Sequence, residues 1–287
     1  IFRMVFNGGQ INLTLWQNIS TALMVSIIIC EIFLGIFFLA DDVVWGAQAL
    51  IDKMGFMDLS SSSRRRWIKT VGLGVTALPF SAYLYGITKG KYSYKVFHRT
   101  ITFPDLPPAF DGFKIAQFSD FHAGSFDQPN AVQQGLLKLQ AENPDLILFT
   151  GDLVNDKADE VLPFKHMLQA LSAPFGKFAV LGNHDYPGSG HETEHTGTTR
   201  PAKVAQIEQH QQDIGFQLLN NAQVSLQKGE AAIRLIGVEN WGTRFVKYGD
   251  LTKACEGCQD SDFKILLSHD PSHWDAEVLP FPQKIHL

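Results

Sequence analysis

Four short apolar runs in this chain each end in a cluster of residues able to bind metal. The first ends F-S-D-F-H-A-G, placing Asp120 and His122 together. The second ends F-T-G-D-L-V-N-D, with Asp152 followed by Asn155 and Asp156. The third ends L-G-N-H-D-Y, giving Asn183, His184 and Asp185. A later run ends L-L-S-H-D-P, giving His269 and Asp270. Carboxylates, imidazoles and an amide carbonyl together suit divalent Mn, Fe or Zn. A carboxylate has two oxygens and can bridge two ions, and Asp152 is the natural candidate. Two ions roughly 3.5–4 Å apart can clamp a phosphate and activate a water. Asp120 and His122 are two apart, so in a regular strand they face one side. Gly151 and Gly182 directly precede ligands, where glycine permits tight turns and close backbone approach.

These residues need elements that bring them to one place. Phe113–Phe118, Leu146–Thr150 and Lys177–Leu181 read as strands, with helical periodicity over Asn130–Glu142 and Glu160–Leu171 between them. Such alternation implies βαβ units and a parallel sheet. In open α/β sheets, ligands bind at the carboxyl ends of strands. Pro201–Ile214 reads as a polar helix. Closely spaced strands follow near Phe216–Leu219, Ala222–Leu226, Ile233–Val238 and Phe263–Leu267, implying mixed or antiparallel pairing.

Taken singly, each group has an ordinary structural role. Asp152 is placed to cap a helix and Asn183 to make a turn. Jointly, four such clusters in one chain order point to a site. The string D-x-H, G-D, G-N-H-D and a lone His resembles the calcineurin-like metallophosphoesterase superfamily, and is similar to its membrane-anchored bacterial phosphodiesterase-like branch. The resemblance covers roughly Tyr94–Leu287. It implies an α/β fold of two mixed β-sheets packed as a sandwich and flanked by helices. It implies two divalent metal ions, with Asp120 and His122 on the first, Asp152 bridging, and Asn183 and His269 on the second. His184 would stabilise the transition state or protonate the leaving oxygen. The expected reaction is hydrolysis of a phosphate ester, a diester favoured over a monoester. The family pattern closes with G-H-x-H, which this sequence lacks. Its last residues, Lys284–Leu287, read as the strand leading there, so the expectation is a catalytic domain incomplete at its C-terminus and little activity in the fragment. The alternative is a non-catalytic binding or scaffold protein on the same fold.

The rest of the chain is of another kind. Hydrophobic residues make up 45 % and charged residues 18 %, an apolar excess that is localised. Ala22–Ala40 is a run of 19 residues with one charge, Glu31, close to the ~20 a bilayer-spanning helix needs. Asp41–Ser63 is more polar, and Arg64-Arg65-Arg66 precede a second apolar run, Trp67–Ile87. The expectation is a membrane region over 1–93, with transmembrane helices near 22–40 and 67–87, and a catalytic domain over 94–287. The arginines resemble a twin-arginine export motif or a positive-inside anchor. Either reading puts the catalytic domain on the outer face of a bacterial inner membrane, within reach of lipid-linked phosphates. The net charge of -5 argues against nucleic acid as a partner. Three cysteines make no disulfide framework, and Cys255 and Cys258 read as helix or loop residues. His191 and His195 lie in a loop near Asp185. Trp241 and Arg244 follow a strand end and are pocket-lining candidates. His286 is expected at a sheet surface.

Overall fold

The computed structural model describes residues 13–55, 62–187, 201–245 and 247–286. His191, His195, Ser60, Ser61, Leu287 and the side chains of Arg64 and Arg65 lie outside that set. The chain divides into two compact units, Ile1–Tyr94 and Lys95–Leu287.

The first unit holds two helices, α1 (Leu13–Lys53) and α2 (Ser62–Thr88). Residues Leu23–Lys53 and Arg66–Thr88 are each long and apolar enough to cross a membrane. Helix α1 does not stop where the apolar run ends at Ala40 but continues thirteen residues, through Asp41 and Asp42 to Lys53. Its polar end keeps helical bonding because main-chain pairing within the helix does not depend on side-chain polarity. The helices approach closely at Gly72, where an added Cβ would lie 3.0 Å from Phe37 Cβ. Small residues at such contacts are what lets membrane helices pack. Glu31 is exposed on α1.

The second unit contains two sheets. One has the order β1 (Ile115–Phe118), β2 (Leu146–Phe149), β3 (Lys177–Ala179), β4 (Gln217–Leu218), every pair parallel. The other has the order β5 (Ala222–Lys228), β6 (Ala231–Gly237), β7 (Lys264–Leu267). Strands β5 and β6 are antiparallel, joined at Gly229-Glu230, with Gly229 at φ 65°. That is the conformation tight hairpins require. Strands β6 and β7 are parallel. Only the second sheet is therefore mixed. The first is wholly parallel because each of its connections carries a helix: α3 (Pro129–Ala141), α4 (Lys165–Gln169) and α5 (Ala202–Ile214).

Sequential strand order with right-handed crossovers puts those helices on one face. The opposite face meets the second sheet. Leu146, Leu148, Phe178 and Val180 pack there against Leu226, Ile233, Leu235, Phe263, Ile265 and Leu267. Strand β2 is buried along its whole length, as its unbroken L-I-L-F demands. Between β2 and α4 the expected helix Glu160–Leu171 is instead a 3-10 segment, Ala158–Phe164, followed by five α-helical residues. Pro163 lacks the N–H that a continuous α-helix would use. Helix α5 ends at Gly215, whose φ of 96° suits the left-handed cap.

The short helix α6 (Leu251–Ala254) leads to Cys255 and Cys258, two free and buried thiols in an apolar cluster with Ile236, Val238 and Val278. Burial, then the neighbouring Cys258, push the Cys255 thiol up to about 11. They are core residues. His286 is also buried rather than on a sheet surface. It stacks on Phe263 with ring centroids 3.9 Å apart, and its Nε2 lies 3.0 Å from Asp105 Oδ2.

Candidate metal centre

Parallel strands end on one edge, and the loops leaving β1, β2, β3 and β7 carry the candidate ligands there. Strand β1 stops at Phe118, so strand alternation does not set Asp120 and His122. Both lie in a loop at positive φ, 52° and 44°, and Asp152 follows at 60°. Non-glycine residues in this region carry backbone strain. Main-chain bonds hold the two loops together: Asp120 N–H donates to Gly151 O, His122 N–H to Asp152 O, and Ala123 N–H to Leu153 O, all 3.0 Å. Gly151, at φ 103°, sits so close to the β3 end that an added Cβ would lie 2.7 Å from Gly182 Cα. A Cβ on Gly182 would in turn lie 2.6 Å from Asp152 N. The glycines before the candidate ligands are thus required by backbone approach.

Asp152 stands at the centre, its side chain 3 % exposed. Its Oδ2 lies 3.4 Å from His122 Nε2 and 3.5 Å from His269 Nε2, and its Oδ1 accepts the His184 N–H at 2.8 Å. His269 Nδ1–H donates to Thr150 O at 2.8 Å, which leaves the Nε2 lone pair facing Asn183 Oδ1 at 3.1 Å. Two acceptors and a carboxylate oxygen therefore face one another, an arrangement a cation satisfies. A carbonyl bond behind the ring is the usual way a metal-binding histidine is oriented. Among the described residues, His122 Nδ1 is buried without a hydrogen-bond partner.

Among the described residues, two groups offer ligand atoms within 4.8 Å of one another: His122, Asp152 and His184, and Asp120, Asp152 and His269. Asp152 is common to both. All six expected residues meet in one place. The grouping differs from the one the resemblance implies, since His184 shares a group with His122, and Asp120 shares one with His269. Asp120 is the most open member, 3.8 Å from His122 Nε2 with its side chain 58 % exposed.

His184 is held from behind, its Nδ1 2.9 Å from Asn155 O. Its ring meets that of His122 edge-on at 4.8 Å. Below it, fully buried Asp185 accepts from the N–H groups of Asp152 (3.0 Å), Leu153 (2.9 Å) and Gly182 (2.9 Å). Burial, then the Asp152 carboxylate, push Asp185 up to about 6 against the pull of those three amides. Lys203 donates to His184 O at 2.8 Å and Tyr186 O at 3.1 Å, and burial lowers its pKa. The motifs did not reveal these supports, although the aspartate after His184 is part of the third run. Glu160 is another support, marked in sequence only by its place three residues after Lys157. Trp241 is buried under the Lys247 ammonium, 4.0 Å from the ring centroid. Arg244 is exposed.

Comparison with known proteins gives two family matches. Residues 113–286 match the description "Calcineurin-like phosphoesterase", and residues 1–91 match "Probable Calcineurin-like phosphoesterase, transmembrane domain". Among curated relatives, the Bacillus subtilis metallophosphoesterase YkuE is 33 % identical over 140 residues, 46 % of this chain and 48 % of its own. A Danio rerio transmembrane protein with metallophosphoesterase domain is 25 % identical over 206 residues, 69 % of this chain and 44 % of its own. The UDP-2,3-diacylglucosamine pyrophosphatase LpxG of Chlamydia trachomatis is 28 % identical over 205 residues, 58 % of this chain and 60 % of its own. The chain thus spans less than half the length of the first two.

Proposed function

Because the chain belongs to the calcineurin-like phosphoesterase family, we propose that it is a membrane-associated hydrolase that cleaves a phosphate ester with the help of two divalent cations, Mn, Fe or Zn. When bound, such ions supply Lewis acidity and lower the pKa of water. Asp120, His122, Asp152, Asn183 and His269 would hold them, with Asp152 serving both. The observation that carries this reading is the convergence of lone pairs from four strand ends on one buried carboxylate. His184 would donate a proton to the leaving oxygen. Its Nδ1–H stays on the Asn155 carbonyl in either charge state, so the proton that comes and goes sits on Nε2. The Asp152 carboxylate accepting the His184 N–H keeps that ring beside the reacting phosphate.

A phosphodiester or pyrophosphate carrying a lipid is the favoured substrate class. Support comes from the two apolar helices, the transmembrane family match, and relatives named for a diacylglucosamine pyrophosphate. The arginines before α2 support placing the second unit on the outer face of an inner membrane. Reporter fusions after Tyr94 would test that orientation.

The central test is hydrolysis of bis-(p-nitrophenyl) phosphate by the purified protein, carried through the expected G-H-x-H, in detergent, with each metal and with chelator. Activity should require metal. Asp152→Ala should lower it by about 10³-fold or more, as expected when several kcal/mol of metal-derived stabilisation is removed. Equal rates in the two proteins would refute the proposal.

A further inference from the structure

The Glu160 carboxylate lies half-buried between the loops that follow β1 and β2. Its Oε2 accepts the Asn155 N–H at 2.7 Å, and its Oε1 accepts the Lys157 N–H at 3.1 Å. The Asp156 N–H reaches both oxygens, at 3.3 and 3.4 Å. On the other side it rests against buried Gly124, where a Cβ would come 2.6 Å from Oε2. Asn155 Nδ2 also donates to Ser125 Oγ at 2.9 Å, closing the link between the two loops. The peptide gripped this way is the one whose carbonyl receives His184 Nδ1 at 2.9 Å.

We infer that Glu160 is a positioning residue that acts through the Asn155 carbonyl to fix the orientation of the His184 ring, Nδ1 on that carbonyl and Nε2 toward the site. This rests on the proton-transfer role proposed for His184. Three backbone N–H groups converging on one carboxylate fix the loop peptide to within hydrogen-bond tolerance. With the carbonyl fixed, the neutral ring has one favourable tautomer. Release the carbonyl and the ring loses the partner that fixes its orientation, so both neutral tautomers become accessible and Nε2 is no longer held toward the leaving oxygen. A role limited to capping the 3-10 segment Ala158–Phe164 would affect stability alone.

The test uses the full chain in detergent and two variants. Glu160→Gln replaces one acceptor oxygen with a donor. Gly124→Ala keeps the glutamate but drives a methyl group into its seat. With the metal-free protein labelled with ¹⁵N-histidine, His184 being assigned through His184→Gln, the wild-type ring should show protonated Nδ1 alone. Both variants should show mixed tautomers. In hydrolysis assays, Glu160→Gln should slow esters with alkoxide leaving groups about 10- to 100-fold more than p-nitrophenyl esters, a part of the ~10²–10⁴ that general acids supply. That selective loss should vanish in a His184→Gln background, since residues acting as one unit are not additive. A single Nδ1–H tautomer in both variants, or an equal slowing of both ester types, overturns the inference. A wild-type protein carried through the expected G-H-x-H and still inactive on every ester would instead refute the hydrolase reading, and the tautomer measurement would still decide the role of Glu160.

Discussion

Replacing Gly151 by alanine tests whether close approach of the β2 and β3 ends builds the site. Two costs follow from the structure. The backbone at φ 103° is one that L-residues avoid, costing about 1–2 kcal/mol by the left-handed penalty. The new methyl would also lie 2.7 Å from Gly182 Cα and 2.9 Å from Leu181 C, both main-chain atoms that no rotamer change can move. Overpacking of that kind costs about 1–3 kcal/mol. The sum is about 2–5 kcal/mol, or a fall in Tm of about 4–20 °C at 2–4 °C per kcal/mol for a unit of this size. Gly229→Ala is the matched control. It has φ 65° with nothing within 4 Å of the added Cβ, so it carries the backbone cost alone. Its Tm should fall by about 2–8 °C. Thermal unfolding by circular dichroism reads both, and metal analysis should show Gly151→Ala depleted and Gly229→Ala loaded. If Gly151→Ala lost no more stability than the control and kept its metal, the backbone contact would not be what places Asp152 beside Asn183.

Other outcomes follow from the same geometry. His184→Gln should lower kcat by about 10²–10⁴ with metal content unchanged, and loss of metal would make His184 a ligand instead, as its place beside His122 and Asp152 allows. Added divalent cation should raise the Tm of the wild-type chain, by the equivalent of about 2.7 kcal/mol at a hundred times Kd. Asp152→Ala should show no such rise, and an equal rise would place the binding elsewhere. Lys284 first, then His286, hold the Asp105 carboxyl below its usual range. A depressed folded pKa gives stability that is present above the unfolded carboxylate value near ~4 and lost as pH falls through the folded one. Asp105→Asn should therefore be less stable than wild type at neutral pH and indistinguishable from it in strong acid, checked by Tm against pH. A gap that persisted in acid would point to packing instead.

The cluster was legible because its candidate ligands stand directly after apolar runs and beside glycines, so strand ends could be found without knowing the pairing. The reason offered for Asp120 and His122 did not hold. They meet through left-handed turns bonded to Gly151 and Asp152, not through strand alternation. The parallel direction of the first sheet was legible from the helical patterns between its strands, although the resemblance implied that both sheets are mixed. Helix α1 outran its apolar stretch because side-chain hydropathy marks where lipid ends, not where main-chain bonding ends. Glu160, Asp185 and Lys203 bind main-chain groups, which every residue has, and so leave almost no trace in residue type. His286 was misplaced because its partners, Asp105 and Phe263, are remote in sequence.

The positive φ angles at Asp120, His122 and Asp152 reach beyond chemistry, into how the protein matures. Each such residue costs about 1–3 kcal/mol, a sizeable share of the 5–15 kcal/mol that usually separates folded from unfolded chains. On the proposed reading, ligation of those three side chains repays the debt. A newly made chain waiting for its ions is therefore the fragile form, the one most open to proteases and chaperones. Scarcity of metal in the compartment would show first as less protein, before it showed as slower turnover of the protein that remains.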